Sequence, residues 1–382
     1  MGRTSGWGPA VAVAAGLLLG GCASVGPAGV ATGSAPAEGV YRVWVTSEAV
    51  DQIALIEYGP GGASVVHRQR VGAMPVEVDG PHGVAVAPDS RHIYVTLGHG
   101  MPSGWLLKID ADSYEQVGRT SLGLFPATVS VTPDGEYGFV SNFNLHGDHV
   151  PSSISKVHLP SMMEVERIET CVMPHGSRVN PQGTRHYSVC MMDELLVEID
   201  VATGEIARRF SLMRGMEGPV SGTHAAAGHA GHAAAEVCSP TWAEPGADGA
   251  RVFVACNRAA EVLEIDVSDW TLVRRVETGE SPYNLAVTPD GRLLLVSLRN
   301  RTDPALEIYD TATGARVGRV AASTTLVHGI AVSADSRYAF ISVEGIGSEP
   351  GKVDVVDLRG MRRVASVEVG QQATGIAVVP GR

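Results

Sequence analysis

Thirteen histidines and eleven methionines are spread over this 382-residue chain, and several stand where a plain scaffold would not ask for them. His82, His175 and His328 each precede a glycine, in Pro81-His82-Gly83, Pro174-His175-Gly176 and Val327-His328-Gly329. His224, His229 and His232 lie in a run of Ala and Gly, a short way after Met213 and Met216. Met191 and Met192 directly follow Cys190. Neutral imidazoles and thioethers are good copper donors, Met preferring Cu(I) and His serving both oxidation states. Arg178 and Trp242 are the other candidates for ligand contact, with mutual stacking as the alternative reading.

The elements that must position these residues are legible as a repeat. Turn prolines set a ruler at Pro88, Pro133, Pro181, Pro245, Pro289 and Pro380, with Ala334 in the equivalent place, spaced by 45, 48, 64, 44, 45 and 46 residues. Within one repeat, "PYNLAVTPDG", "RLLLVSL", "ALEIYDTATG" and "ARVGRVAA" read as four strands joined by tight turns. A period of roughly 40–45 residues with four strands marks a β-propeller, one blade per repeat. Before the first full repeat only three strands occur, and after the last only one, "QATGIAVVP". That last strand is expected to complete the first blade. The chain is thus read as all-β, a seven-bladed β-propeller over residues 39–382, with a His/Met-containing insertion at about 213–237.

The blade motif is most literal at Pro81 to Gly98, "PHGVAVAPDSRHIYVTLG". It resembles the YVTN β-propeller repeat family, related to the propellers of nitrous-oxide reductase, cytochrome cd1 and the lactonases. The resemblance covers nearly all of the chain after residue 38 and implies the fold more than any activity. Counting six residues back from each ruler position places His82, Ala127, His175, Ser239, Tyr283, His328 and Thr374 around one mouth of the central channel. His99, Met101, His146, His149, Met191, Met192 and the insertion should leave from the same face. In nitrous-oxide reductase, propeller histidines at this mouth hold a copper cluster. Here three ring histidines, without a Cys-rich cupredoxin stretch, carry the resemblance no further than metal binding. The other reading of the "P-H-G" histidines is structural, as turn residues bonded to a backbone carbonyl. Counting three back gives Arg178 and Trp242 where other blades have Ala85, Ser130, Ala286, Ala331 and Ala377.

Four cysteines remain once Cys22 is set aside, and the expected disulfides are Cys171–Cys190 and Cys238–Cys256, with a thiolate metal site as the alternative. The N-terminal apolar stretch ending in Leu19-Gly20-Gly21-Cys22 resembles a lipoprotein lipobox, implying a signal peptide over 1–21 and lipidation of Cys22. Residues 22–38 then form a flexible tether. This implies the bacterial cell envelope, with the protein lipid-anchored on the periplasm-facing side of an outer membrane. The partners expected are that membrane and an envelope protein. A formal net charge of −12 argues against nucleic acid. P-loop, G-x-S-x-G and C-x-x-C-H motifs are absent from the sequence. The expected function is non-enzymatic binding of a ligand or partner through the His/Met-rich face, copper being the most concrete ligand. The alternatives are a metal-free interaction scaffold, and a lactonase-like or electron-transfer accessory enzyme.

Overall fold

A computed structural model describes residue 2 and residues 39–72, 77–100, 102–221 and 237–381. All but Gly2 fall within one compact unit, Ser34–Arg382. The expectations for the signal peptide, the tether, Cys22, Met101, His224, His229 and His232 lie outside the described residues.

Seven antiparallel sheets make seven blades. From blade 1 to blade 7 the innermost strands are Ala373–Val378, Pro81–Val86, Pro126–Val131, Pro174–Val179, Pro240–Pro245, Pro282–Val287 and Val327–Val332. The second strands are Tyr41–Ser47, His92–Leu97, Tyr137–Asn142, Arg185–Cys190, Arg251–Cys256, Leu293–Leu298 and Tyr338–Val343. These second strands are apolar on both faces because each is packed between neighbouring blades, as "HIYVTL" and "LLLVSL" show. Outer strands alternate instead: along Gly62–Arg70 every second residue is exposed. As expected, the C-terminal strand closes the ring, with Val43, Trp44 and Val45 paired to Val378, Ala377 and Ile376. Closure gives blade 1 the innermost strand that the other six blades carry in sequence.

Neighbouring blades are riveted by one recurring polar device. A hydroxyl on the second strand accepts the backbone N–H of the third residue of the inner strand, then donates to a carbonyl of the next blade. Thr96 accepts from Gly83 N–H at 2.7 Å and donates to the Ala127 carbonyl at 3.2 Å. Thr46, Ser297 and Ser342 do the same toward His82, His328 and Thr374. Glycine at that third position lets the neighbouring carbonyl come close. A Cβ on Gly83 would lie 2.4 Å from the Ala127 oxygen, and one on Gly375 2.4 Å from the His82 oxygen.

Blade 5 departs from the proline ruler. The hairpin turn needs a positive φ two residues after each ruler position, as at Gly135, Gly183 and Gly291. In blade 5 that residue is Gly249 (φ 73°), so Ala247, not Pro245, is the equivalent position. The strand pairing agrees, since Pro174 opposes Cys190 in blade 4 and Pro240 opposes Cys256 in blade 5. Thr241 therefore takes the ring place expected for Ser239. Glu244, rather than Trp242, is the counterpart of Arg178.

Both expected disulfides are present, with Cα separations of 5.9 Å for Cys171–Cys190 and 4.3 Å for Cys238–Cys256. The first spans a blade boundary, because Cys171 lies in the outer strand Met163–Val172 of blade 3. The second lies within blade 5. The insertion begins with an element not foreseen: Gly218–Pro219 adds a short fifth strand to blade 4. Arg214 and Glu217 beside it pair with Glu261 and Arg275 of blade 5.

Candidate functional site at the channel mouth

The second residue of each inner strand faces the channel mouth, giving Thr374, His82, Ala127, His175, Thr241, Tyr283 and His328 around the ring. The three imidazoles gather there with Tyr283. The His82 and His328 rings stand nearly perpendicular with centroids 5.1 Å apart, and Tyr283 lies 4.9 Å from His328.

Their nitrogens differ in what they are free to do. His175 Nδ1 faces the Thr241 carbonyl at 2.8 Å, which can only accept, so Nδ1 carries the proton. Its Nε2 then accepts from the Tyr283 hydroxyl at 3.2 Å. Both nitrogens of His175 are therefore engaged, one by a backbone carbonyl and one by a phenol. Burial pulls His175 down to about 4 against the Thr241 carbonyl, so the ring is neutral near pH 7. His82 Nδ1 instead donates to Glu48 Oε2 at 2.6 Å. That leaves His82 Nε2 buried with no hydrogen-bond partner among the described residues; His328 Nδ1 meets no hydrogen-bond geometry either, but the Thr374 backbone lies against its ring and favours the protonated form. Burial, then the charges of His82 and Arg299, hold His328 well below the ordinary imidazole value.

A second ring surrounds the first. The residues that follow the second strands are Glu48, Gly98, Phe143, Met191, Asn257, Arg299 and Glu344. Glu48 is buried and shared: its other oxygen accepts from His99 Nε2 at 2.6 Å, and His146 Nε2 reaches His99 Nδ1 at 3.3 Å. Burial opposes the Glu48 charge, but His82 and then His99 overcome it and hold the carboxyl at about 2. Glu48 in turn raises His99, against burial. Arg299 grips Glu344 with two hydrogen bonds of 2.6 and 3.0 Å. The Arg299 guanidinium also lies 5.2 Å from the Tyr283 ring centre. Burial pushes Glu344 up while Arg299 pulls it down.

Glu48, Arg299 and the pairing of Tyr283 with His175 went unforeseen. The register that picked out His82 would have found Glu48 and Arg299 had it been applied to second strands as well.

The remaining expected residues are dispersed. Met191 packs against the cluster of Phe125, Ala127 and Phe143 beside the mouth. Met192 is exposed, and so is His149. Arg178 and Trp242 do stack, with the guanidinium 4.5 Å from the ring centre. Trp242 fits because the facing residue is Gly176, where a Cβ would sit 2.4 Å from its ring. Arg178 is also 3.5 Å from Glu244, whose carboxylate accepts from Trp242 Nε1 at 3.2 Å. These three side chains cross the channel below the imidazoles.

Between the imidazoles and that crossbar lies a cavity of about 30 Å³, lined by His82, His175, His328, Asn284, Thr374 and Arg178 among others. It has room for about two waters or one ion and excludes an organic substrate. Asn284 Oδ1, like His82 Nε2, is buried without a hydrogen-bond partner among the described residues. Among the described residues no three His, Cys, Asp or Glu side chains are grouped as a metal ion would need.

No family model matches the chain, and no curated protein matches it. Among solved structures it is similar to hydrazine synthase of Kuenenia stuttgartiensis, with a TM-score of 0.62 and 19% identity over 82% of this chain and 94% of that one. It is also similar to a functionally unknown protein from Desulfotomaculum acetoxidans DSM 771, with a TM-score of 0.67 and 16% identity over 89% and 99%. The likeness is one of fold. At these identities it extends to the seven-bladed propeller and to nothing chemical.

Proposed function

We propose that this chain is a YVTN-type, lipid-anchored propeller of the bacterial cell envelope that binds a small ligand at the His-lined channel mouth. The ligand we favour is copper, as Cu(I). One observation carries this reading: among the described residues His82 Nε2 is buried without a hydrogen-bond partner on a cavity of ion size that the His328 ring also lines. A buried polar atom without a partner calls for an occupant. His82 has the form of a metal-binding imidazole, because Glu48 holds its other nitrogen and fixes the tautomer. Two nitrogen donors suffice for Cu(I), which accepts two-coordinate geometry. The soft donors Met213 and Met216 begin the connection that carries His224, His229 and His232, and we assign it a supporting role in capture. Bound there, copper would supply a soft cation and a one-electron couple. The lipobox-like leader and two disulfides support an exported, oxidising location.

The test is copper stoichiometry on tag-free protein beginning after Cys22, equilibrated with Cu(I) against a chelator. About one copper per chain is expected, falling at least tenfold in His82→Ala and His328→Ala and unchanged in His149→Ala. Retention of copper by both mouth variants would remove the reading and leave ordered water as the occupant.

A second reading has an observation of its own. The Glu48–His82 pair with a free Nε2, beside Arg299 and Tyr283, is also a general base next to a cation that could steady an oxyanion, as a lactonase-like enzyme would need. Its substrate would have to sit above the ring, since the cavity is too small. Turnover of a lactone panel that vanishes in Glu48→Gln and Arg299→Met would favour it.

A further inference from the structure

The channel has a second mouth, at the far ends of the inner strands, and it is chemically unlike the first. It opens into a cavity of about 340 Å³ walled by Val86, Val131, Val287, Val332 and Val378, among others. That volume is in the range of small-molecule sites. The fifth residue of the inner strand sets its floor. Five blades place a small side chain there: Ala377, Ala85, Ser130, Ala286 and Ala331. Two adjacent blades break the pattern with Arg178 and Glu244, which line the same cavity.

An apolar funnel with one charged wall is costly for a scaffold, which would be served by a sixth and seventh alanine. The guanidinium is also under-used. Of its five N–H donors, one on Nη1 is the only one with a hydrogen bond among the described residues, to the Ser177 carbonyl at 3.1 Å. Nε stands 3.5 Å from Glu244, ion-pair range without a hydrogen bond. Glu244 accepts from Trp242 Nε1 and interacts with the Val287 backbone as well as facing Arg178. The Arg178 side chain keeps 28% of its surface accessible, so it can be reached from the funnel. Trp242 covers one guanidinium face and fixes its plane, which leaves the fork edge for an incoming group.

We propose that this mouth is a second ligand site, taking a monocarboxylate with a short apolar tail. The carboxylate meets the unused edge of Arg178 and the tail lies along the valine wall. A planar guanidinium pairs with a carboxylate in two parallel hydrogen bonds, whereas an alcohol or an amine cannot use that fork. The site lies on the opposite side of the Arg178–Trp242–Glu244 crossbar from the imidazoles, and Arg178 lines both cavities.

Octanoate, octanol and octylamine, titrated by calorimetry into the metal-free protein, test the assignment. Octanoate should bind one per chain and at least tenfold more tightly than the other two. Arg178→Met should lose that preference. Because this variant leaves Glu244 buried without its partner, Arg178→Met/Glu244→Met is made beside it, replacing the pair with apolar groups of similar volume. The double variant should stay folded by circular dichroism and bind octanoate no better than octanol. Glu244→Gln, which removes the competing carboxylate, should tighten octanoate binding several-fold. Octanoate binding to the folded double variant as tightly as to wild type overturns the proposal. So does a wild type that prefers octanol or octylamine. His82→Ala should leave octanoate binding unchanged, so failure here and failure of the copper reading are separate results.

Discussion

Glu48 is the residue on which the mouth turns, because one carboxylate orients two imidazoles. Its pH signature follows from the directions of the shifts. The Glu48 carboxyl lies at about 2 when folded against an ordinary 4.5, so its contribution is present above 4.5 and is lost as pH falls toward 2. His99 is raised above 6.5, so its contribution is full below 6.5 and is lost as pH rises through the folded value. Both are present together between 4.5 and 6.5. Glu48→Gln should therefore lower the melting temperature most in that window, with the gap to wild type narrowing on either side. A gap that is flat with pH would show that Glu48 is not charged beside its histidines. His175 runs the other way from His99: its neutral form is favoured, and folding is penalised as pH falls from 6.5 toward 4. At this scale the sequence told which imidazoles share a ring, through a fixed offset from the turn. It could not tell which nitrogens are spent. That depends on Thr241, Tyr283 and Glu48, which come from three other blades.

At the scale of the strand, the hydroxyl rivet explains why a Thr or Ser recurs near the end of the second strand. Thr96→Val keeps the shape but leaves Gly83 N–H buried and unpaired, at a cost of about 1–3 kcal/mol. Gly83→Ala should cost more, since its Cβ meets a backbone oxygen that cannot move alone. Chemical denaturation of both variants checks the order, and a milder Gly83→Ala would contradict the close approach. The disulfides are testable here too. Cys171→Ser/Cys190→Ser removes a bridge between residues 19 apart and should cost about 3 kcal/mol. It should also loosen the boundary between blades 3 and 4 by hydrogen exchange. Strands and their order were legible because the turn chemistry repeats. Blade 5 misled because proline is only permitted at the ruler position, whereas positive φ is demanded two residues on. Gly249 was the truer marker. The two-residue slip put Trp242 opposite Arg178 and hid Glu244, its real counterpart. The short strand at Gly218–Pro219 carries no pattern long enough to announce itself.

For the whole molecule, the ring is held shut by a strand made last. Ending the chain at Gln372 removes all three backbone pairings of Val43, Trp44 and Val45 and the Thr46–Thr374 hydroxyl contact at 2.9 Å. The shortened chain should lose cooperative unfolding by calorimetry, and a sharp transition near the wild-type temperature would refute the closure argument. Closure was readable from the uneven strand count at the two ends. The two-mouth character of the channel was not, because it depends on which side chains cross the axis.

Blade 1 is built from both ends of the chain, and the imidazole mouth sits on that join. Glu48 follows the strand Tyr41–Ser47, His328 lies on the seventh blade, and Thr374 belongs to the strand Ala373–Val378. A chain whose ends have not yet met therefore has His82 and His328 but lacks the strand that supplies Thr374, Gly375 and Ile376 to the cavity lining. The cavity is complete only once the two ends of the chain have met, so whatever it holds must enter after the ring has closed and cannot be built in as the blades form one by one.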